Sequence, residues 1–189
     1  VSTHVAVLGR LMPPSAEGGA VVDWERLERE YRIPFPSDFR DFIGLYGAGV
    51  VDGYLSISAP DPANPRIDLF RGSQVLVATL RGVRETLPEN MCRHPLQSRV
   101  GGIIRWAANE DGDLCFWISD SDDPEQWRVG VYSRNFNDWH EYDCGFAEFL
   151  VQVLTGALES PFSRSDFPPE SPCFTPWRTH LDELLVEGT

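Results

Sequence analysis

The sequence predicts an α+β fold, with an N-terminal helix pair and a C-terminal helix packed on a mainly antiparallel β-sheet. Three observations predict it. Residues 23–49, DWERLEREYRIPFPSDFRDFIGLYGAG, place large apolar side chains at helical spacing on both sides of a Pro-x-Pro break. Residues 102–132 hold short apolar runs separated by a glycine turn and an acidic loop, as strands do. Residues 145–158 return to helical spacing.

The chain opens with a short apolar run, Val5 to Leu8, which reads as an edge strand or a packed arm. Pro13, Pro14, Gly18 and Gly19 then make a loop. In the first helix Trp24, Leu27 and Tyr31 share one face. Asp23 is placed to cap it, because its carboxylate can accept from the free amides of the first turn. Val22 and Leu27 occupy the two positions of a hydrophobic staple. Pro34 and Pro36 impose an extended linker, since each disfavours helical geometry in the residue before it. Ser37 is the expected cap of the second helix, with Asp38 in its first turn where the helix dipole favours an acid. Phe39, Phe42, Ile43 and Tyr46 form its buried face. Gly47 supplies a left-handed stop, and Gly49 a second bend.

Val50–Val51 and Tyr54–Ile57 suggest the first strands. Three prolines between Ala59 and Pro65 demand a loop. A helix is expected over 73–87, with Leu76, Leu80, Val83 and Leu87 on one face and Pro88 as its stop. Gly102 to Ala107 reads as a strand, Asn109 to Asp113 as a turn, and Leu114 to Ser119 as the next strand. In that strand Leu114, Phe116 and Ile118 face one side, and Cys115 and Trp117 the other. Both sides are apolar, so the strand is expected to be central and covered on both faces. Trp127 to Tyr132 and Trp139 to Tyr142 complete the strands. The closing helix, Gly145 to Leu158, carries Phe146, Phe149, Leu150, Val153 and Leu154 as its stripe. The tail from Glu159 has five prolines among Phe162, Phe167, Phe174 and Trp177. Such a strap is expected to pack against the body as a cover, or else to form part of a partner site. Leu181, Leu184 and Leu185 suggest a last helical turn.

The order Trp24, Glu28, Ile33-Pro34-x-Pro36-Ser37-Asp38-Phe39, Phe42, then Tyr46-Gly47-x-Gly49 resembles the SUKH superfamily. So does Trp106 followed by Asn109-x-x-Gly112-Asp113-Leu114-Cys115-Phe116-Trp117, and Phe146-x-x-Phe149-Leu150 with Leu154-x-Gly156. The resemblance spans about residues 23–158; the N-terminal arm and the strap at 159–189 lie outside it. It implies a single SUKH-like domain over residues 1–189. The superfamily includes yeast cell-wall assembly regulators and many bacterial immunity proteins of polymorphic toxin systems. These are patterns of core and turn residues, so they speak to fold before activity.

Composition narrows the partners. The chain has 189 residues and 42% hydrophobic content, enough for one sizeable core. A net charge of −13 argues against nucleic acid, whose phosphates need a basic patch, and against an anionic membrane. It favours a basic protein partner. All 16 basic residues are arginine, a bias that goes with a high-GC genome. Cys92, Cys115, Cys144 and Cys173 show no zinc or redox spacing, which fits a reducing cytoplasm. No apolar run is long enough to span a membrane, and no signal-peptide layout opens the chain.

Motifs for catalysis are missing: no GxSxG, Walker or GxGxxG pattern occurs. His4, His94, His140 and His180 have no metal-ligand spacing, although His140 could sit beside a carboxylate of its own DWHE segment. The acids Glu110, Asp111, Asp113, Asp120, Asp122, Asp123 and Glu125 could in principle hold a divalent metal, but their spacing is not that of an EF-hand. Solvated loops, or an acidic rim for a protein partner, account for them better, and neither a metal nor a cofactor is expected. With Trp117 and Trp127, which are core or interface anchors, these acids form the candidate partner-binding set. The resemblance thus implies a cytoplasmic, non-enzymatic immunity protein that binds a basic cognate toxin, of nuclease or deaminase type, and occludes its active site. A regulatory scaffold of the yeast type is the alternative, and a metal-dependent enzyme built on the acidic loops is a third.

Overall fold

The helix pair expected from residues 23–49 is present in the computed structural model, which describes residues 1–16, 18–86, 93–135 and 138–187. The first of the pair, α2, spans Trp24–Tyr31, and the Asp23 carboxylate accepts from the Arg26 amide at 3.1 Å. The second, α3, spans Ser37–Tyr46 and buries Phe39, Phe42, Ile43 and Tyr46. Gly47 ends it at φ 72°. Ser37, however, is the first residue of α3 and not its cap. Its amide donates to Glu125 Oε1 at 2.6 Å and its hydroxyl to Oε2 at 2.8 Å. A carboxylate 88 residues away fills the role expected of the local serine.

The N-terminal run is neither strand nor arm. Thr3–Leu11 forms α1, and Val5 and Leu8 are buried with Met12 just beyond its end. Their i, i+3, i+7 spacing is helical, and the face packs on α3 and on α5 (Phe146–Leu154). A remote group also caps α5: Asp38 Oδ2 accepts from the Ala147 amide at 2.8 Å. This helix stops at Leu154, earlier than expected, and Gly156 turns the chain at φ 70°.

Among the described residues, seven strands form one antiparallel sheet: β1 Gly49–Val51, β2 Leu55–Ile57, β3 Ile103–Asn109, β4 Leu114–Ile118, β5 Arg128–Ser133, β6 Asp138–Tyr142 and β7 Phe174–Pro176. Their order is β6-β5-β4-β3-β2-β1-β7. Gly49 does not make a bend. It opens β1, where a Cβ would collide with the Thr175 carbonyl and the Phe174 ring. The glycine is there so that the final strand can close onto β1.

Helices cover both faces of the sheet. On one side α1, α3 and α5 bury an aromatic core with Trp106, Trp117 and Phe146 at its centre. On the other, Leu76, Val77 and Leu80 of α4 (Leu69–Thr86) pack on Ile103, Phe116 and Ile118. Strand β4 is therefore central and two-faced as expected, with Cys115 and Trp117 in the first core and Phe116 and Ile118 in the second. A bulge in β3 between Arg105 and Ala107 adds Trp106 and turns both Trp106 and Ala107 toward the aromatic core. Helix α4 begins ahead of the expected Ser73 because Asp68 caps it, accepting from the Arg71 amide at 3.0 Å. Leu87 and Pro88, expected at its end, lie outside the described residues.

The strap packs as a cover. Phe162, Phe167 and Phe174 are buried, the first two against the Tyr54 ring at 6.2 and 5.0 Å. Cys173 donates its amide to Asp52 Oδ1 at 2.8 Å, and β7 then pairs with β1. The last helical turn expected around Leu181 is a longer helix, α6, over Trp177–Glu187; the side chains of Leu184 and Leu185 lie outside the described residues.

Candidate functional site

The candidate acids do not form one face. Glu110, Asp111 and Asp113 lie on the β3–β4 turn, whereas Asp120, Asp122, Asp123 and Glu125 lie on the β4–β5 connection. These are opposite ends of β4, a five-residue strand, and so roughly 15 Å or more apart.

At the β3–β4 end the most constrained acid is Asp113, which is fully buried. Its Oδ1 accepts from the Arg134 amide at 2.9 Å, and from the Ser133 and Ser163 hydroxyls at 3.4 and 3.5 Å. Its Oδ2 accepts from Asn109 Nδ2 at 2.8 Å and from the Ser163 amide at 3.2 Å. One carboxylate thus ties the turn, the end of β5 and the strap together. It is surrounded by its own chain and cannot meet a partner. Asp111 is half-buried and accepts the Tyr54 hydroxyl proton at 2.7 Å. Burial pushes the Tyr54 hydroxyl well above its ordinary pKa, and the Asp111 and Asp113 charges add to that. The Arg164 guanidinium lies 5.2 Å from the centre of the Tyr54 ring and pairs with Asp166 at 2.8 Å. Only Glu110 of this group is well exposed.

At the β4–β5 end the acids are exposed, yet three of four are engaged. Asp120 pairs with Arg128 at 2.9 Å. Asp123 caps the short 3-10 turn Pro124–Gln126, accepting from the Glu125 amide at 3.1 Å. Glu125 caps α3 as described above. Asp122 is exposed and has no partner among the described residues.

Both tryptophans of the candidate set belong to the core. Trp117 is 0% exposed and meets the Phe39 ring edge-on at 4.8 Å. It sits on the inward face of a central strand, where an aromatic has nowhere else to go. Trp127 is 2% exposed, aligned with Val129 and Val131, and its indole donates to the Ser121 carbonyl at 2.7 Å. Neither can anchor a partner. Among the nine candidates, Asp113, Trp117 and Trp127 are thus corrected to structural roles.

A second charged group, missed in the sequence, lies beside the first on the outer strands. Glu141 of β6 accepts from His94 at 2.8 Å and Trp139 at 3.0 Å, and pairs with Arg128 at 3.2 Å. Burial works to raise the Glu141 carboxyl, but the hydrogen bonds from His94 and Trp139 and the nearby positive charges hold it below the usual carboxylate range. His140 does sit beside a carboxylate, with Nε2 3.5 Å from Asp138. The sequence signal was the DWHE segment itself, but its partners His94 and Arg128 are distant in the chain.

Compared with known proteins, the chain matches no family model, no curated protein and no solved structure.

Among the described residues, no group of three His, Cys, Asp or Glu side chains is arranged to hold a metal ion, and no helix is long and apolar enough to cross a membrane. A concavity of about 730 Å³ lies between the Gly19–Val21 segment, the end of α3 and the start of α6. None of the candidate acids lines it.

Proposed function

We propose that this chain is a binding protein of the immunity type, which neutralises a basic cognate toxin in the cytoplasm by covering its active site. The observation that carries the reading is the charge: a net −13, with Asp120, Asp122, Asp123 and Glu125 exposed together at one end of the sheet. The resemblance to the SUKH superfamily supports it, because Phe39, Phe42, Tyr46, Trp106 and Phe146 are all core residues here. A nuclease or deaminase must hold a phosphate backbone, so its active-site groove is basic. An acidic end docked in that groove replaces phosphate charge and blocks access. The acids steer the encounter, and an interface of about 1,200–2,000 Å² suffices to hold it. Buried Trp127 contributes by fixing the loop that carries the acids, since its indole holds Ser121.

The test is co-expression with the protein encoded by the neighbouring reading frame. Rescue of growth is expected. Asp122 is the right position for charge reversal, because Asp120 and Asp123 also hold local structure. Asp122→Lys is expected to slow association by about three- to tenfold at low salt and much less at high salt. Unaltered association at low salt would rule out the acidic end as the contact. Failure of the wild-type chain to rescue would remove the immunity reading.

A further inference from the structure

The two edges of the sheet are not alike. Strand β7 ends the sheet on one side with only three residues, Phe174–Pro176. Its proline has no N–H to offer, and α6 follows at once. Strand β6 ends the sheet on the other side with five residues, Asp138–Tyr142, containing neither proline nor glycine. Its register with β5 runs unbroken from Ser133↔Asp138 to Val129↔Tyr142, so no bulge twists it away. No strand pairs with its outer side among the described residues. A straight edge of this kind offers backbone amides and carbonyls for pairing, although the Trp139 amide already donates to Asp138 Oδ1 at 2.8 Å, and natural proteins rarely leave one unguarded.

What guards this edge is negative charge. Asp138, Glu141 and Asp143 are exposed along it, and Asp120 lies beside them through Arg128. Arg128 is already shared between Asp120 and Glu141. Arg134 lies against Gly112, at the β3–β4 turn. Pairing with a second copy would bring Asp138 and Asp143 of each chain together, on molecules of net charge −13 apiece. The charges that repel a copy attract a strand rich in lysine or arginine.

We infer that β6 is a docking edge for an extended, basic segment of a partner protein, which joins the sheet as an eighth strand. Backbone hydrogen bonds supply the pairing, and Asp138 and Asp143 select for positive side chains, Glu141 being held by Arg128, His94 and Trp139. Five residues span about 17 Å, enough for a short strand and not for a large interface. The inference deepens the immunity reading and rests on it for the nature of the partner. It places one arm of the contact beside the Asp120–Glu125 end.

The edge can be tested without the toxin. Two synthetic seven-residue peptides, one alternating valine and lysine and one alternating valine and glutamate, are titrated into the full-length chain while backbone amides are followed by NMR. The expected result is shifts and slowed exchange centred on residues 138–142 with the lysine peptide alone. The double variant Asp138→Lys, Asp143→Lys should weaken that binding at least tenfold. Proline is then placed at His140 and, separately, at Glu141. Neighbouring residues point their N–H groups to opposite sides, so one variant spares the β5 ladder, and thermal unfolding identifies which. That folded variant should lose the lysine peptide. Amides 138–142 unmoved at millimolar lysine peptide, equal binding of the glutamate peptide, or full binding by the folded proline variant would each overturn the inference. A failed rescue in cells counts against immunity, whereas a silent titration counts against the edge.

Discussion

Removing the Asp113 carboxylate should release the strap. The group is fully buried and accepts from two backbone amides, one side-chain amide and two hydroxyls. The hydroxyl contacts, at 3.4 and 3.5 Å, are long and contribute little. The other three are charge-assisted, each worth about 1.5–3 kcal/mol. Truncation also strands the Arg134 and Ser163 amides without an acceptor. Water entering the gap offsets part of this, so Asp113→Ala is expected to cost about 3–5 kcal/mol. For a domain of this size that lowers the unfolding midpoint by roughly 10 °C. Asp113→Asn should fall between, since its one oxygen serves some donors while its NH2 faces others. The assay is urea denaturation of wild type and both variants, with limited proteolysis as a local readout. New cleavage is expected within residues 159–173 before the body of the domain is cut. A variant within 1 kcal/mol of wild type, with the strap still protected, would refute the assignment of Asp113 as its latch.

Two further outcomes follow from the packing. Burial raises the Asp38 carboxyl, against the hydrogen bonds from the Ala147 and Phe39 amides. Its protonated form is favoured in the folded chain, so its contribution to stability is fullest below about pH 3.9 and is lost as pH rises through the folded pKa. Asp38→Asn keeps an acceptor for Ala147 and should flatten this dependence, with stability at pH 7 equal to or above wild type. Asp38→Ala, which removes the α5 cap, should lose about 1 kcal/mol, and an Asn variant weaker than the Ala variant would contradict the argument. Gly49→Ala drives a methyl group into Thr175 and Phe174, and should cost about 1–3 kcal/mol in denaturant unfolding, with β7 released first in amide exchange. Wild-type protection of the β7 amides in that variant would show that the strand has room to shift.

Periodicity made the α+β class and most elements legible. The stripes of α2, α3 and α5 and the two apolar faces of β4 each follow from one burial rule applied over a few residues. Local chemistry also sufficed where donor and acceptor are neighbours, as at Asp23 and Arg26. The N-terminal helix is encoded in the i, i+3, i+7 spacing of Val5, Leu8 and Met12, which the contiguous run Val5–Leu8 overlies.

The candidate site was less legible. The acids at 110–113 and 120–125 look like one cluster because they are close in sequence, yet a strand between them carries them to opposite ends of the sheet. Asp113 and Asp122 are the same residue type in similar acidic loops. One is buried among five donors from three segments and the other is exposed with no partner among the described residues, and nothing within a few residues distinguishes them.

By itself, the sequence determined what depends on near neighbours: helical and strand periods, turn glycines, the acidic balance and the apolar content that demands a core. Only the tertiary structure decided which carboxylates cap distant helices, which tryptophans are interior, that the strap supplies the last strand, and which strand lies at each edge of the sheet among the described residues. The physical reason is range. Periodicity and turn preference act over a few bonds, whereas Glu125 on Ser37, Asp38 on Ala147 and Phe174 on Gly49 are pairings that exist only once the chain has closed on itself.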